Sequence, residues 1–234
     1  MKFGSRQSPI NIITDNVKKI PTHKRKIKIF ENNPPSVSFN LINNGNIRAD
    51  VTNEESLELS GGPLSDVYKL DQFHFHWGRC DDVGSEHLVD SKSYSAEMHY
   101  VFYNKKYEKF ADALGQIKGV TVLGVFIKSG NENAEFNKLI PHLDMKLKDK
   151  RTVDIDINHL LPKCHENYWT YEGSLTTSPY TENVKWILLT DEISLSPKQI
   201  EGFRNVSSIL DERIIENHRE VQPLENRIVY VNKD

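Results

Sequence analysis

The residues best suited to chemistry are concentrated in Gln72-Phe73-His74-Phe75-His76-Trp77-Gly78. Successive side chains on a β-strand point to opposite faces. As a strand, this run puts Gln72, His74 and His76 on one face and Phe73, Phe75 and Trp77 on the other. The aromatic face belongs to a core. Two imidazoles at i and i+2 can lean toward one metal ion. Glu97-Met98-His99-Tyr100-Val101 repeats the logic, with Glu97, His99 and Val101 on one side. The stretch from Asp81 to Glu86 is turn-rich, so the two runs can pair antiparallel and bring His99 beside His74 and His76. Three imidazoles leave a tetrahedral zinc with one open position, the pattern of a catalytic site. A metal-bound histidine usually donates its other N–H to a carboxylate, an amide or a backbone carbonyl. Gln72 stands two residues from His74, and Glu97 two from His99, each placed to accept. His-x-His alone is common on ordinary strands. The Glu-x-His on a partner strand gives it weight, but neither pattern names a reaction.

Strands must therefore hold these residues, and short β-type runs dominate the chain. They cover Ser36–Leu41, Ser56–Leu59, Gln72–Trp77, Glu97–Tyr103, Val120–Ile127, Lys185–Leu189 and Arg227–Val231, separated by Gly, Pro, Asn and Asp. Asn32-Asn33-Pro34-Pro35 and Asn43-Asn44-Gly45 read as turns. A helix is predicted from Ser196. That residue can cap, Pro197 suits the first helical position, Gln199 can close a capping box, and Leu195 and Ile200 form a hydrophobic staple. A second helix is predicted over Asn133–Leu147, with Phe136, Leu139, Ile140, Leu143 and Leu147 on one face and Pro141 kinking or splitting it. The reading is one β-dominated α+β domain spanning residues 1–234, with peripheral helices and no internal linker.

Composition narrows the function classes. The 234 residues carry 30 Lys+Arg against 33 Asp+Glu, a formal net charge of −3, which argues against a protein built to bind phosphate backbones. The basic run Lys24–Ile29 has no interleaved aromatics and reads as a solvated strand face, not a nucleic-acid patch. No apolar run approaches the roughly 20 residues of a membrane helix. Met1–Gln7 lacks the apolar stretch of a secretory signal, which predicts a cytoplasmic protein, a trimmed secreted form being the alternative. Cys80 and Cys164 rule out a disulfide scaffold and read as free thiols, with one disulfide as the alternative.

Further motifs run the length of the chain: Gln7-Ser8-Pro9-Ile10-Asn11-Ile12, Gly61-Gly62-Pro63-Leu64, Gly84-Ser85-Glu86-His87-Leu88-Val89-Asp90, Leu160-Leu161-Pro162, Tyr168-Trp169-Thr170-Tyr171, Gly173-Ser174-Leu175-Thr176-Thr177 and Gln222-Pro223-Leu224. Together with the histidine segments and Asn43-Asn44-Gly45, they resemble the α-class carbonic anhydrases, in family order. The resemblance implies one domain around a large, twisted, mostly antiparallel sheet, with zinc at the bottom of a conical cleft. It implies a monomer that hydrates CO₂ reversibly to bicarbonate and a proton. His74, His76 and His99 match the zinc ligands. Thr176 matches the residue that accepts the proton of zinc-bound hydroxide, and Glu86 the carboxylate that takes that threonine's proton. Thr177 lines the site beside them. Gln72, Glu97 and Asn217 match the residues that hold the imidazoles from behind, Asn217 through its backbone carbonyl. Val101, Val122, Leu175 and Trp186 match the apolar pocket for CO₂. His87 matches a buried structural histidine, while His23, His142, His159, His165 and His218 read as structural or surface residues.

The chain also departs from the family. Fast members carry a proton-shuttling histidine directly after the Asn-Gly of the cleft wall, where this chain has Asn46. Asparagine has no titratable group near neutral pH, so the resemblance implies slow proton release. Arg48 and Asp50 are the next candidates to face the cleft. Arginine does not deprotonate, and an ordinary aspartate is too weak a base. Members usually have a longer segment before the Gln-Ser-Pro, most of which is missing here. Secreted members place a disulfide cysteine just after the Thr-Thr pair, where this chain reads Ser178-Pro179-Tyr180. Relatives that serve as binding proteins commonly lack one or more zinc histidines, and this chain has all three. A non-catalytic binding protein is the competing class.

Overall fold

Alternating apolar and polar residues build the sheet that dominates the computed structural model. The structure describes residues 4–20, 26–31, 36–52, 57–208, 210 and 212–233. The turn predicted at Asn32–Pro35, together with Ser56, His23, Lys24, Arg25 and the first three residues, lies outside them.

The main path of the sheet comprises β1 (Lys18–Lys19), β2 (Val37–Asn43), β3 (Ile47–Val51), β4 (Tyr68–Trp77), β5 (Ala96–Asn104), β6 (Val120–Ser129), β7 (Lys150–Ile155), β8 (Tyr168–Gly173), β9 (Val184–Leu189) and β10 (Tyr230–Asn232). Its order is β7-β2-β3-β4-β5-β6-β9-β8-β10-β1. Neighbours on this path are antiparallel except β6 with β9 and β10 with β1. Ile27–Ile29, Glu58–Gly61 and Ile193–Leu195 attach as short extra strands.

Each face of the sheet carries its own core. Phe73, Phe75, Trp77, Met98, Tyr100 and Phe102 lie in one cluster with Phe39, Phe136 and Phe203. Val101, Val122, Tyr171 and Trp186 lie in the other. On β4 the alternation changes phase. Tyr68 and Leu70 are buried in the first core at even positions, whereas Phe73, Phe75 and Trp77 occupy it at odd ones. The register accounts for this: Leu70 pairs with Phe102 and Gln72 with Val101, leaving Asp71 as the extra residue of a β-bulge. Without the bulge Asp71 would share the face of Phe73. With it, Asp71 and Gln72 both leave the core.

The capped helix forms as α2 (Pro197–Phe203), after the four-residue α1 (Phe110–Ala113). The Ser196 hydroxyl accepts from the Gln199 N–H at 3.3 Å, and the Gln199 side chain accepts from the Ser196 N–H at 3.1 Å. Phe203 packs on Phe75, with ring centroids 4.9 Å apart, fastening α2 beneath the strand that carries the histidines.

The helix expected over Asn133–Leu147 does not form. Two 3₁₀ turns, Phe136–Lys138 and Ile140–His142, replace it. Pro141 offers no N–H, and its ring would clash with the carbonyl four residues back. Phe136, Leu139 and Leu143 still reach the core, so their apolar spacing reflected burial without a continuous helix. The expected Arg227–Val231 strand is also shifted, to Tyr230–Asn232. Arg227 instead turns its guanidinium onto the carbonyls of Leu224, Glu172 and Pro223.

Candidate metal centre

The β4–β5 register sets His74 directly opposite His99, and His76 opposite Glu97. Opposite residues of an antiparallel pair share a face. The imidazole centroids are 5.1 Å apart for His74–His76, 5.3 Å for His74–His99 and 4.6 Å for His76–His99. One nitrogen from each ring lies within 4.8 Å of the others.

The remaining ring nitrogens are engaged from behind. His74 Nδ1 lies 2.9 Å from Gln72 Oε1, His76 Nδ1 3.1 Å from the Asn217 carbonyl, and His99 Nε2 2.7 Å from Glu97 Oε1. Asn217 is itself clamped to β4. Its side chain accepts from the Trp77 N–H at 2.8 Å and donates to the Phe75 carbonyl at 3.0 Å. These contacts leave His74 Nε2, His76 Nε2 and His99 Nδ1 to converge. His76 Nε2 is buried and has no hydrogen-bond partner. An unpaired buried nitrogen is costly unless something binds it, so the donor set fits a metal ion. Glu97 also approaches His87, but there the buried contacts are accounted for without an ion. It accepts from the His87 N–H at 2.8 Å and faces His87 Nδ1 at 2.7 Å, while His87 Nε2 meets the Tyr171 hydroxyl at 2.7 Å.

Burial disfavours protonation of all three candidate ligands. His74 is held well below the usual range by burial and by its two neighbours, His76 is lowered to about 4, chiefly by burial, and His99 is lowered by burial against the pull of Glu97. At neutral pH the site therefore presents three neutral imidazoles, the form that binds metal. Burial would raise the Glu97 carboxyl, but His87 and His99 outweigh it and hold it well below the usual range. The lowered histidines give a stability prediction for the metal-free protein. The unfolded chain binds more protons below its ordinary histidine pKa, so the stability present above that value is lost as pH falls toward the folded one. His76 alone accounts for a loss of about 2 kcal/mol between about pH 7 and pH 5. The raised Glu86 and Asp71 carboxyls shift stability the other way over the same range, so an NMR titration of the imidazoles in metal-free protein is the measurement; a His76 that protonates at its ordinary pKa would contradict the neutral buried triad.

Glu86 is buried beside the triad. Its Oε1 accepts the Arg219 N–H at 2.8 Å and lies 3.3 Å from His76 Nδ1. Burial pushes its carboxyl up to about 7, against the opposing effects of His99, the Thr176 hydroxyl and the Arg219 N–H. On the cleft face, Val122 pairs in register with Val101 on β5 and with Trp186 on β9. These three side chains make one apolar row. The Trp186 ring lies 4.8 Å from that of His99, and its Nε1 donates to the Ser174 carbonyl at 3.0 Å. The loop after β8 supplies Leu175, Thr176 and Thr177, which complete the wall of a cavity of about 260 Å³ with His74 and His99.

Other cavity residues were missed in the sequence. Phe110 and Leu114 come from and just beyond α1, Ser178 and Pro179 follow the Thr-Thr pair, and Asp71 stands on β4; of the two cleft-facing candidates on β3, Arg48 lines the cavity and Asp50 does not. The four-residue α1 offers too little periodicity to be read. Asn46 is partly buried and does not line this cavity. Of the other histidines, His87 is fully buried, His159 is exposed, and His142, His165 and His218 are partly buried. A larger depression of about 960 Å³ shares no lining residue with the cavity. Its Arg6 is paired with Glu182 and its Lys185 with Glu172, so chemistry rather than volume selects the site.

Comparison with known proteins decides the family. The model of the eukaryotic-type carbonic anhydrase family matches residues 2–233. The chain belongs to that family. It is 41% identical to carbonic anhydrase 7 of Mus musculus, over 97% of this chain and 88% of the relative. It is 39% identical to carbonic anhydrase 3 of Equus caballus, over 97% of this chain and 89% of the relative. The match to carbonic anhydrase 1 of Oryctolagus cuniculus is also 39%, over 97% and 98%. The chain is thus an enzyme of the lyase class, from a family of metalloenzymes that act on small molecules. As a carbonic anhydrase it keeps the expected large, mostly antiparallel sheet. No helix among its described residues is long and apolar enough to cross a membrane.

Proposed function

We propose that this carbonic anhydrase hydrates CO₂ reversibly to bicarbonate and a proton, using a zinc ion held by His74, His76 and His99. The observation that carries the reading is the convergence of three imidazoles braced from behind, with His76 Nε2 buried and unpartnered. Three nitrogen donors with room for a fourth ligand suit catalytic zinc. When bound, the ion supplies Lewis-acid chemistry that makes water a nucleophile near neutral pH, an effect for which carbonic anhydrases are the standard illustration.

The protein's part is orientation and exclusion. Gln72, Glu97 and the Asn217 carbonyl lock the rings and their tautomers. The Arg219 N–H holds Glu86 Oε1, and the buried, otherwise unpartnered Glu86 Oε2 is the acceptor for the Thr176 hydroxyl proton, which turns that oxygen's lone pairs toward the attacking O–H. Val101, Val122, Leu175 and Trp186 offer CO₂ a wall without hydrogen-bonding groups, with Thr177 at its edge. That wall suits a substrate with no net dipole. Cys80 and Cys164 are both free and exposed, which supports a reducing, cytoplasmic setting.

Each turnover also releases a proton. Asn46 cannot relay it, so proton export limits the enzyme when buffer is scarce. The test is CO₂ hydration by zinc-loaded protein as imidazole is raised at constant pH and ionic strength. The rate should start low and climb with imidazole. A rate already high in dilute buffer would overturn the slow-export reading. No hydration at any imidazole level, with zinc bound, would favour a non-catalytic binding protein.

A further inference from the structure

The bulge in β4 does more than correct the phase of the core. It turns Asp71 out of the aromatic layer and onto the wall of the cavity that also holds His74, His99 and Thr176. Two charged groups face it from β3, where Asp50 pairs in register with Gln72 and Arg48 with His74. Tyr103 on β5 also feels its charge. Arg48 is already taken up by Asp50, with Nη2 2.8 Å from its carboxylate. Among the described residues, no side chain ion-pairs with or hydrogen-bonds to Asp71. A half-buried carboxyl, unpaired and beside a second carboxylate, lies on the wall of a catalytic cleft.

We propose that Asp71 is a proton relay of this enzyme, taking the proton released by CO₂ hydration and passing it to buffer at the mouth of the cleft. The inference rests on the hydration reading above. The proton reaches the Asp71 carboxylate through water; a cavity of about 260 Å³ has room for several waters. The carboxylate becomes the acid, then returns to carboxylate by giving the proton to a buffer base. No other bond changes.

The surroundings tune the group for this task. Burial, and then the Asp50 carboxylate, push the Asp71 carboxyl up to about 6, with Arg48 opposing. An ordinary aspartate is too weak a base to compete for the proton near neutrality. Asp71 is still mostly ionised at neutral pH and therefore ready to accept, yet closer to a matched relay. It remains more acidic than an ideal shuttle, so export through it is slower than through a base matched to neutral pH.

The test compares zinc-loaded parent and Asp71→Asn protein. In dilute buffer the variant's kcat should fall on the order of tenfold, with kcat/KM for CO₂ unchanged, and imidazole should restore it. The parent's kcat in dilute buffer should carry an ionisation near 6 that the variant lacks. A second readout needs no turnover. Ionising a carboxyl whose pKa is raised costs the folded state stability, so the variant should melt higher than the parent at neutral pH and like it in acid. Equal dilute-buffer kcat in the two proteins would overturn the relay while leaving the hydration reading intact. A fall in kcat/KM would overturn it in favour of a structural role. A parent that hydrates nothing at saturating imidazole would overturn both.

Discussion

Substituting His99 by alanine should remove both zinc binding and the hydration of CO₂. His99 faces His74 across the β4–β5 pair, and its ring lies 4.6 Å from that of His76. Without it two imidazoles remain, and the buried Glu97 carboxylate loses one of the groups that stabilise its charge. The variant should bind no zinc above background after dialysis, and its hydration should match the buffer blank. Gln72→Leu is the contrast. It keeps every ligand and removes one brace, so metal affinity should fall about 10–100-fold with activity recoverable in excess zinc. Zinc content by atomic emission and stopped-flow hydration decide the matter. Hydration retained in His99→Ala would mean that the metal sits elsewhere.

Thr176→Val should keep zinc and lower kcat/KM by about 10²–10³-fold, the scale on which removing one oriented polar group at a reacting oxygen acts. The threonine hydroxyl has one proton to give. With Glu86 taking it, the oxygen is an acceptor toward the cleft, and an attacking O–H is held in one orientation. Valine preserves the volume and removes the acceptor. Anions with no proton to donate should then inhibit the variant more strongly than the parent, because the lone pairs that repel them are gone. Kinetics of zinc-replete protein, with anion titrations, measure both effects. An unchanged kcat/KM would remove Thr176 and Glu86 from the mechanism.

The centre of the site was legible because it is written with a local period. His74 and His76 share a face by strand geometry alone, and Gln72 and Glu97 sit where a two-residue step must place them. The apolar row Val101, Val122 and Trp186 came instead from family resemblance, since it takes three strands in register to make it. The capping box at Ser196 succeeded for the same local reason as the histidine pair. Asn133–Leu147 misled because apolar spacing reports burial, and two tight turns around Pro141 satisfy the same spacing. The bulge at Asp71 left a trace in the sequence: two polar residues where one was due, between Leu70 and Phe73. That trace could not say which way the extra residue turns.

What the sequence settled, then, is what depends on near neighbours and on a family's ordered motifs: the two strands, the facing histidines, their braces and the fold class. The tertiary structure decided what depends on closure of the chain. Arg219, which no motif singled out, offers its N–H to Glu86 from 133 residues away, while Asn217, named by the family resemblance, needs the closed fold to reach His76 from 141. Asp71 owes its place on the cleft wall to a one-residue offset against β5, and its raised pKa to burial and to Asp50 across on β3. Backbone geometry sets the two-residue alternation wherever a strand forms. Which strand lies alongside, at what offset, and which carbonyl or amide arrives from a distant loop are set by the packing of the whole sheet.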